Sequence, residues 1–273
     1  MTDTARTRMA AATTALLALV ALTGCAGVGA GGAPASSGER TAEASTAPGR
    51  EAALDPDTVL DCQGIELTAG ALVERTPATA LPAELAALLE DSPVVPIDDL
   101  DDWFVAVERD DHVVLMREID PPLDLGGGDV RDFDLFSASA SPGAMPIDDT
   151  WGVDASTSCT PRIDLGGRTP AMLALDPEAL PQPGDRELEL LATEWTCNAG
   201  EPATGRIEVI DVEETSTTVE LVVGVAPNPG NHDCPSNPPT PFTVELDHEL
   251  GDRVILDASV VPAHELVEFG AIG

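Results

Sequence analysis

Lysine and tyrosine are absent from this sequence, and only 3% of it is aromatic. Every one of its 13 basic side chains is arginine, set against 49 Asp and Glu for a formal net charge of −36. Such a surface repels nucleic-acid phosphates and anionic lipid head groups, which argues against nucleic acid as a partner. Long apolar runs are missing too. The longest, Met9 to Leu22, has 14 residues, fewer than the roughly 18–20 that cross a bilayer. Motifs that carry chemistry are equally scarce: there is no Gly-x-Ser-x-Gly elbow, no P-loop, no EF-hand spacing and no Cys-x-x-Cys. What is present is 43% hydrophobic residues, enough for a globular body whose core is built from Val, Leu and Ile around a few Trp and Phe.

The run from Met9 follows Arg6 and Arg8 and ends in Leu22-Thr23-Gly24-Cys25, the order of parts in an export signal. This stretch resembles a bacterial lipoprotein signal. The resemblance implies a signal peptide over 1–24 and a mature chain whose first residue, Cys25, carries lipid, palmitate among it. The chain is then anchored on the extracytoplasmic face of the cell membrane. The Gly-rich continuation after Cys25 disfavours a helix, so an ordinary transmembrane span is the weaker reading. One acyl chain holds a protein marginally and two hold it stably. Residues 25–55 are Gly, Ala, Ser, Pro, Thr and scattered charge, a composition unable to offset the entropy of ordering itself. They read as a disordered tether.

Five cysteines are an awkward odd number for an exported protein. With Cys25 lipidated, the other four allow two disulfides in three pairings, among which sequence alone does not choose. The expectation is Cys62–Cys159 and Cys197–Cys234, the pairing that does not tie together regions reading as successive halves, 56–168 and 169–273.

The folded part is expected to be mainly β with one short helix, its antiparallel sheets sandwich-like. Leu81 to Leu89 is the helix: Pro82 suits a first turn, and Leu85, Leu88 and Leu89 share a face. Trp103–Arg109 and His112–Arg117 read as a hairpin, followed by strands over 132–138, 150–154 and 159–165. In the second half, strands are expected over 171–175, 187–197, 242–246 and 253–256. The clearest hairpin there pairs Arg206–Val212 with Thr217–Val225, both arms alternating apolar with polar residues. Pro96-Ile97-Asp98-Asp99 recurs at 146–149, and Leu123-Asp124-Leu125-Gly126-Gly127 recurs in kind at 163–167. The unequal spacing of the two echoes favours shared turn chemistry over duplication.

The stretches Trp151 to Cys159, Glu194-Trp-Thr-Cys197, Cys234-Pro-Ser-Asn-Pro with Val244-Glu-Leu246, and Leu250-Gly-Asp-Arg-Val-Ile-Leu-Asp257 together resemble a group of actinobacterial secreted and lipid-anchored proteins of unknown function. The lysine-free, Ala-, Arg-, Gly- and Pro-rich composition matches such a source. The resemblance covers about 150–265, supports the second disulfide and the β fold, and brings no reaction or ligand with it. Within Leu-Gly-Asp-Arg, Gly251 is expected to turn the chain and Asp252 or Arg253 to pair with an opposing strand.

Candidate chemistry is thin. His248-Glu249 and His264-Glu265 each begin like a zinc-protease helix, but 252 is Asp and 268 is Glu where a second His is required. Asp98, Asp99, Asp101 and Asp102 could gather calcium, although a solvated acidic loop explains them more simply. Asn231-His232-Asp233 sits in a Pro/Gly loop and reads as turn residues. No catalytic residue, metal ligand or cofactor is therefore assigned. The favoured expectation is a non-enzymatic module that binds an envelope protein partner; the alternatives are a small-ligand or calcium-binding lipoprotein and a cell-envelope hydrolase.

Overall fold

The computed structural model describes residues 54–126, 129–141, 145–230 and 232–270. The signal peptide, Cys25 and nearly all of the tether read from the sequence lie outside them. Among the described residues are fourteen strands and two short α-helices, a mainly β fold with mostly antiparallel pairing.

Strand β1 (Val59–Cys62) turns through Gln63 and Gly64, both at positive φ, into β2 (Ile65–Thr68). Two left-handed residues in a two-residue loop match the natural twist of a hairpin. Strand β7 (Arg162–Ile163) pairs with the other edge of β1. A second sheet is a simple meander of β3 (Phe104–Arg109), β4 (His112–Asp124), β5 (Val130–Ser139) and β6 (Gly152–Cys159). Its strand β4 carries the uninterrupted run Val113-Val-Leu-Met116, fully buried, because the sheet is covered on both faces. Val114 and Met116 face one core with Leu60, Phe104 and Phe133, and Val113 and Leu115 face another with Leu89, Trp103 and Phe136.

The sequence reading had one helix and found α2 (Ala83–Glu90), but there are two. The other, α1 (Ala69–Glu74), is six residues long, too short to display an apolar period, and tertiary packing holds it. Leu72 is buried, and Gly70 donates to the Pro56 carbonyl at 2.9 Å, so close that a Cβ there would press on Pro56. The strand boundaries at 150–165 also shift: β6 is continuous through Ser156-Thr-Ser158, and Thr160-Pro161 then breaks it from β7.

The larger sheet contains β8 (Thr169–Leu175), β9 (Glu187–Glu194), β10 (Ile207–Glu214), β11 (Thr218–Val225), β12 (Thr240–Glu245), β13 (Val254–Asp257) and β14 (His264–Glu265). Its order is β12-β9-β8-β11-β13-β14, with β10 paired on β11, and β11 runs parallel to β13. The inner faces share one core, including Leu188, Leu190, Leu221, Val223, Val244 and Ile255. Leu-Gly-Asp-Arg works as its sequence suggests. Gly251 takes φ +63°, and Arg253 donates to Glu214 at the end of β10 (2.6 Å) and to the carbonyls of Leu250 and Glu249.

Two disulfides are present, Cys62–Cys159 and Cys197–Cys234, with Cα separations of 5.8 and 4.5 Å. The first clamps β1 to the end of β6; the second joins the loop after β9 to the Pro-rich loop before β12. Beyond β13 the chain crosses back to the first half. Ile163 donates to Ser259 and Val261 donates to Pro161, each at 2.9 Å, and Val261 is fully buried in the core that contains Leu60 and Phe133. The sequence echoes are indeed turns in the second motif: Gly126 donates to Asp124 Oδ1 and Gly166 to Asp164 Oδ1.

Candidate functional site

Where β1, β7 and the start of β8 meet the end of β9, a cleft of about 460 Å³ opens. Its floor is Trp195, which follows β9 directly. Asn237 holds this stretch of backbone by donating to the carbonyls of Glu194 (2.9 Å) and Thr196 (2.6 Å). Two arginines lie over the indole: Arg162 from β7, with its guanidinium carbon 3.6 Å from the ring centroid, and Arg131 from β5 at 5.4 Å. Arg168 also lines the cleft. Three of the chain's 13 arginines thus line one cleft, two of them over its tryptophan, in a strongly acidic molecule. Cation–π contact with Trp is the most favourable of its kind and strengthens as water is excluded.

The arginines are held differently. Arg131 grips Asp129 with Nη2 (2.8 Å) and Nε (2.6 Å) and donates Nη1 to the Ser158 carbonyl (2.9 Å). Arg168 is paired with Glu208. Arg162 has neither kind of partner among the described residues; its close contact is the Trp195 face. Burial pushes its guanidinium below the usual arginine value, with Arg131 adding to the shift, while the carboxylates of Asp129, Asp257 and Asp61 oppose it from a distance. An arginine remains charged under such a shift.

Behind Arg162 lies a second, smaller cavity of about 180 Å³, also lined by Thr160, Asp257 and His264. His264 Nε2 stands 2.9 Å from Asp132 Oδ2, and the Thr160 hydroxyl contacts the same carboxylate oxygen. Asp257 Oδ1 accepts from the Ser259 amide (2.9 Å) and hydroxyl (2.5 Å). Burial raises the Asp257 carboxyl above its ordinary value, more than these hydrogen bonds lower it. A hydroxyl nucleophile is activated when imidazole stands between it and the carboxylate. Here the carboxylate stands in the middle: the Ser259 hydroxyl donates to Asp257, and the Thr160 hydroxyl is shared between Asp132 and the Val130 carbonyl, 2.8 Å away. The geometry suits a structural network that fixes the cleft's rear wall.

The residues singled out by sequence are scattered. His248 is exposed beside Glu214 (3.5 Å), far in role from His264 in its buried network. Asp99 opens a 3-10 turn in which Leu100 is buried and Asp101 and Asp102 are exposed. Among the described residues no group of three or more His, Cys, Asp or Glu is placed to hold a metal ion. Asn231 lies outside the described residues; His232 and Asp233 line the loop at Cys234, where the Asp233 carbonyl accepts from Ala199 at 3.0 Å. Sequence reasoning missed Arg131, Arg162 and the role of Trp195. Their only advance signal was the rarity of both residue types, since nothing local joins positions 131, 162 and 195. No family model, no curated protein and no solved structure matches the chain.

Proposed function

We propose that this protein is a lipid-anchored, extracytoplasmic binding module without catalytic activity. Lipid on Cys25 holds it at the cell membrane, residues 25–55 tether it, and the β body presents the arginine–tryptophan cleft to an envelope partner. The observation that carries the reading is a cleft that gathers Arg131, Arg162 and Arg168, the first two over Trp195, in a protein of net charge −36. Concave sites with an aromatic wall and a few convergent polar groups are the usual form of a binding pocket. The hydroxyl-to-carboxylate bonds beside it favour binding over hydrolysis.

Affinity capture from gently solubilised envelope, with a Cys25→Ala control, tests this. The expected result is a membrane-associated wild type whose N-terminal fragment carries acyl mass at Cys25, together with a partner in near-equal amount. The control should show neither. A wild type that is soluble and unacylated, or one that recovers no partner, refutes the proposal.

A further inference from the structure

Among the cleft arginines, Arg162 is the one whose side-chain donors no described residue takes. Stacking on Trp195 uses the flat face of the guanidinium. Its five N–H groups stay in the plane, in the fork geometry that matches a carboxylate. The site has already removed much of the water from this cation, so an arriving anion displaces little further solvent. The same cleft is lined by Asp61, Glu66 and Asp164. A polyanion is repelled by these groups and by the net charge of the whole molecule, whereas an ammonium is attracted. Val59, Ile163 and Pro170 add apolar lining.

We propose that this cleft binds the zwitterion of an amino acid or short peptide, its free carboxylate on the Arg162 guanidinium and its ammonium facing Asp61, Glu66 and Asp164. This rests on the reading of the protein as a binding module and names the chemistry of what it binds. A volume of about 460 Å³ falls within the 300–1,000 Å³ range of small-molecule pockets.

Calorimetric titration of the full-length protein in detergent micelles tests the assignment with four probes: alanine, trialanine, N-acetyl-trialanine and trialanine amide. Binding of alanine or trialanine is expected, the better of the two telling whether a free amino acid or a peptide end is the natural form. Removing the carboxylate as the amide should weaken binding roughly 10- to 100-fold, the range for a hydrogen-bonded charge. Acetylating the amine should weaken it several-fold. Arg162→Gln should lose as much as the amide does, and Arg162→Lys should keep part of the affinity. Failure of wild type to bind any probe overturns the proposal, as does equal binding of the amide or of the acetylated peptide. Should Arg162→Gln unfold, the amide against wild type decides alone. Equal binding of all four probes removes the charge-based assignment and leaves the binding-module reading standing; zwitterion binding with no partner in envelope capture keeps the assignment and removes the envelope-partner reading.

Discussion

Glu194 and Arg206 form the most buried ion pair of the larger sheet, and breaking it from one side should cost far more than a surface pair would. The Glu194 side chain is 2% exposed and that of Arg206 19%. Two near-parallel bonds join them, Nη1 to Oε1 at 2.8 Å and Nη2 to Oε2 at 2.5 Å, and Nη1 also donates to the Ala226 carbonyl at 2.7 Å. Arg206→Met keeps most of the side-chain stem and strands the carboxylate. The expected loss is about 3–5 kcal/mol, against at most about 1 kcal/mol for an exposed pair. Adding Glu194→Leu removes the stranded charge and should recover most of that loss. Urea denaturation at neutral pH with the disulfides intact measures all four corners of the cycle. Hydrogen bonds from Arg206 hold the Glu194 carboxyl below the ordinary value of 4.5. Its contribution in wild type is therefore complete above that value and is lost as pH falls through the lower folded one. In Arg206→Met both contributions of the arginine are lost and burial is opposed only by the Thr196 hydroxyl and the His232 charge, so the variant gains less stability than wild type as pH rises through the same region. The gap between the two proteins should narrow toward acid. A cost under about 1 kcal/mol, or a gap that stays constant with pH, refutes the argument from burial.

Replacing both Cys197 and Cys234 by Ser frees a loop with a sequence separation of 37, and replacing Cys62 and Cys159 frees one of 97. The chain-entropy relation gives losses of about 4 and about 5 kcal/mol, readable as denaturation midpoints. Gly251→Ala should cost about 1–2 kcal/mol by chemical denaturation; the residue sits at φ +63° and a Cβ would meet nothing closer than 4.0 Å, so the whole cost is backbone conformation. Asp257→Asn keeps an oxygen acceptor for Ser259 while removing a carboxyl that burial raises above its usual 3.8. Wild type should lose stability as pH rises from 3.8 through the higher folded value, and the variant should not. Melting temperatures across that interval check this, and parallel curves would count against it.

Hairpins were legible because they are local. The alternation in Ile207–Glu214 and Thr218–Val225 and the Asp110-Asp111 turn between β3 and β4 announce themselves within 20 residues. The expected disulfide pairing followed from keeping each bridge within one of the two halves read from the sequence, although the first joins strands of two different sheets, β1 and β6. Strand β14 was not legible: two residues, His264-Glu265, hold no period, and they are a strand only because β13 is beside them. The parallel pairing of β11 with β13 likewise depends on a crossover that leaves no local mark. The cleft was the least legible part. Trp195 could be placed at the end of a strand, but which arginines would lie over it depends on β5 and β7 arriving from two other sheets.

The return of the chain after β13 bears on how the molecule is made. A polypeptide emerges from its N-terminus, and the first half has its four-stranded meander, both small hairpin strands and its disulfide partners within the first 163 residues. Yet the core around Leu60 and Phe133 stays open on one side until Val261 arrives, and Ile163 waits for Ser259. Nearly the whole chain must therefore be available before the earliest sheet is sealed. A polypeptide interrupted short of that return would leave uncovered the apolar surface that Val261 packs against.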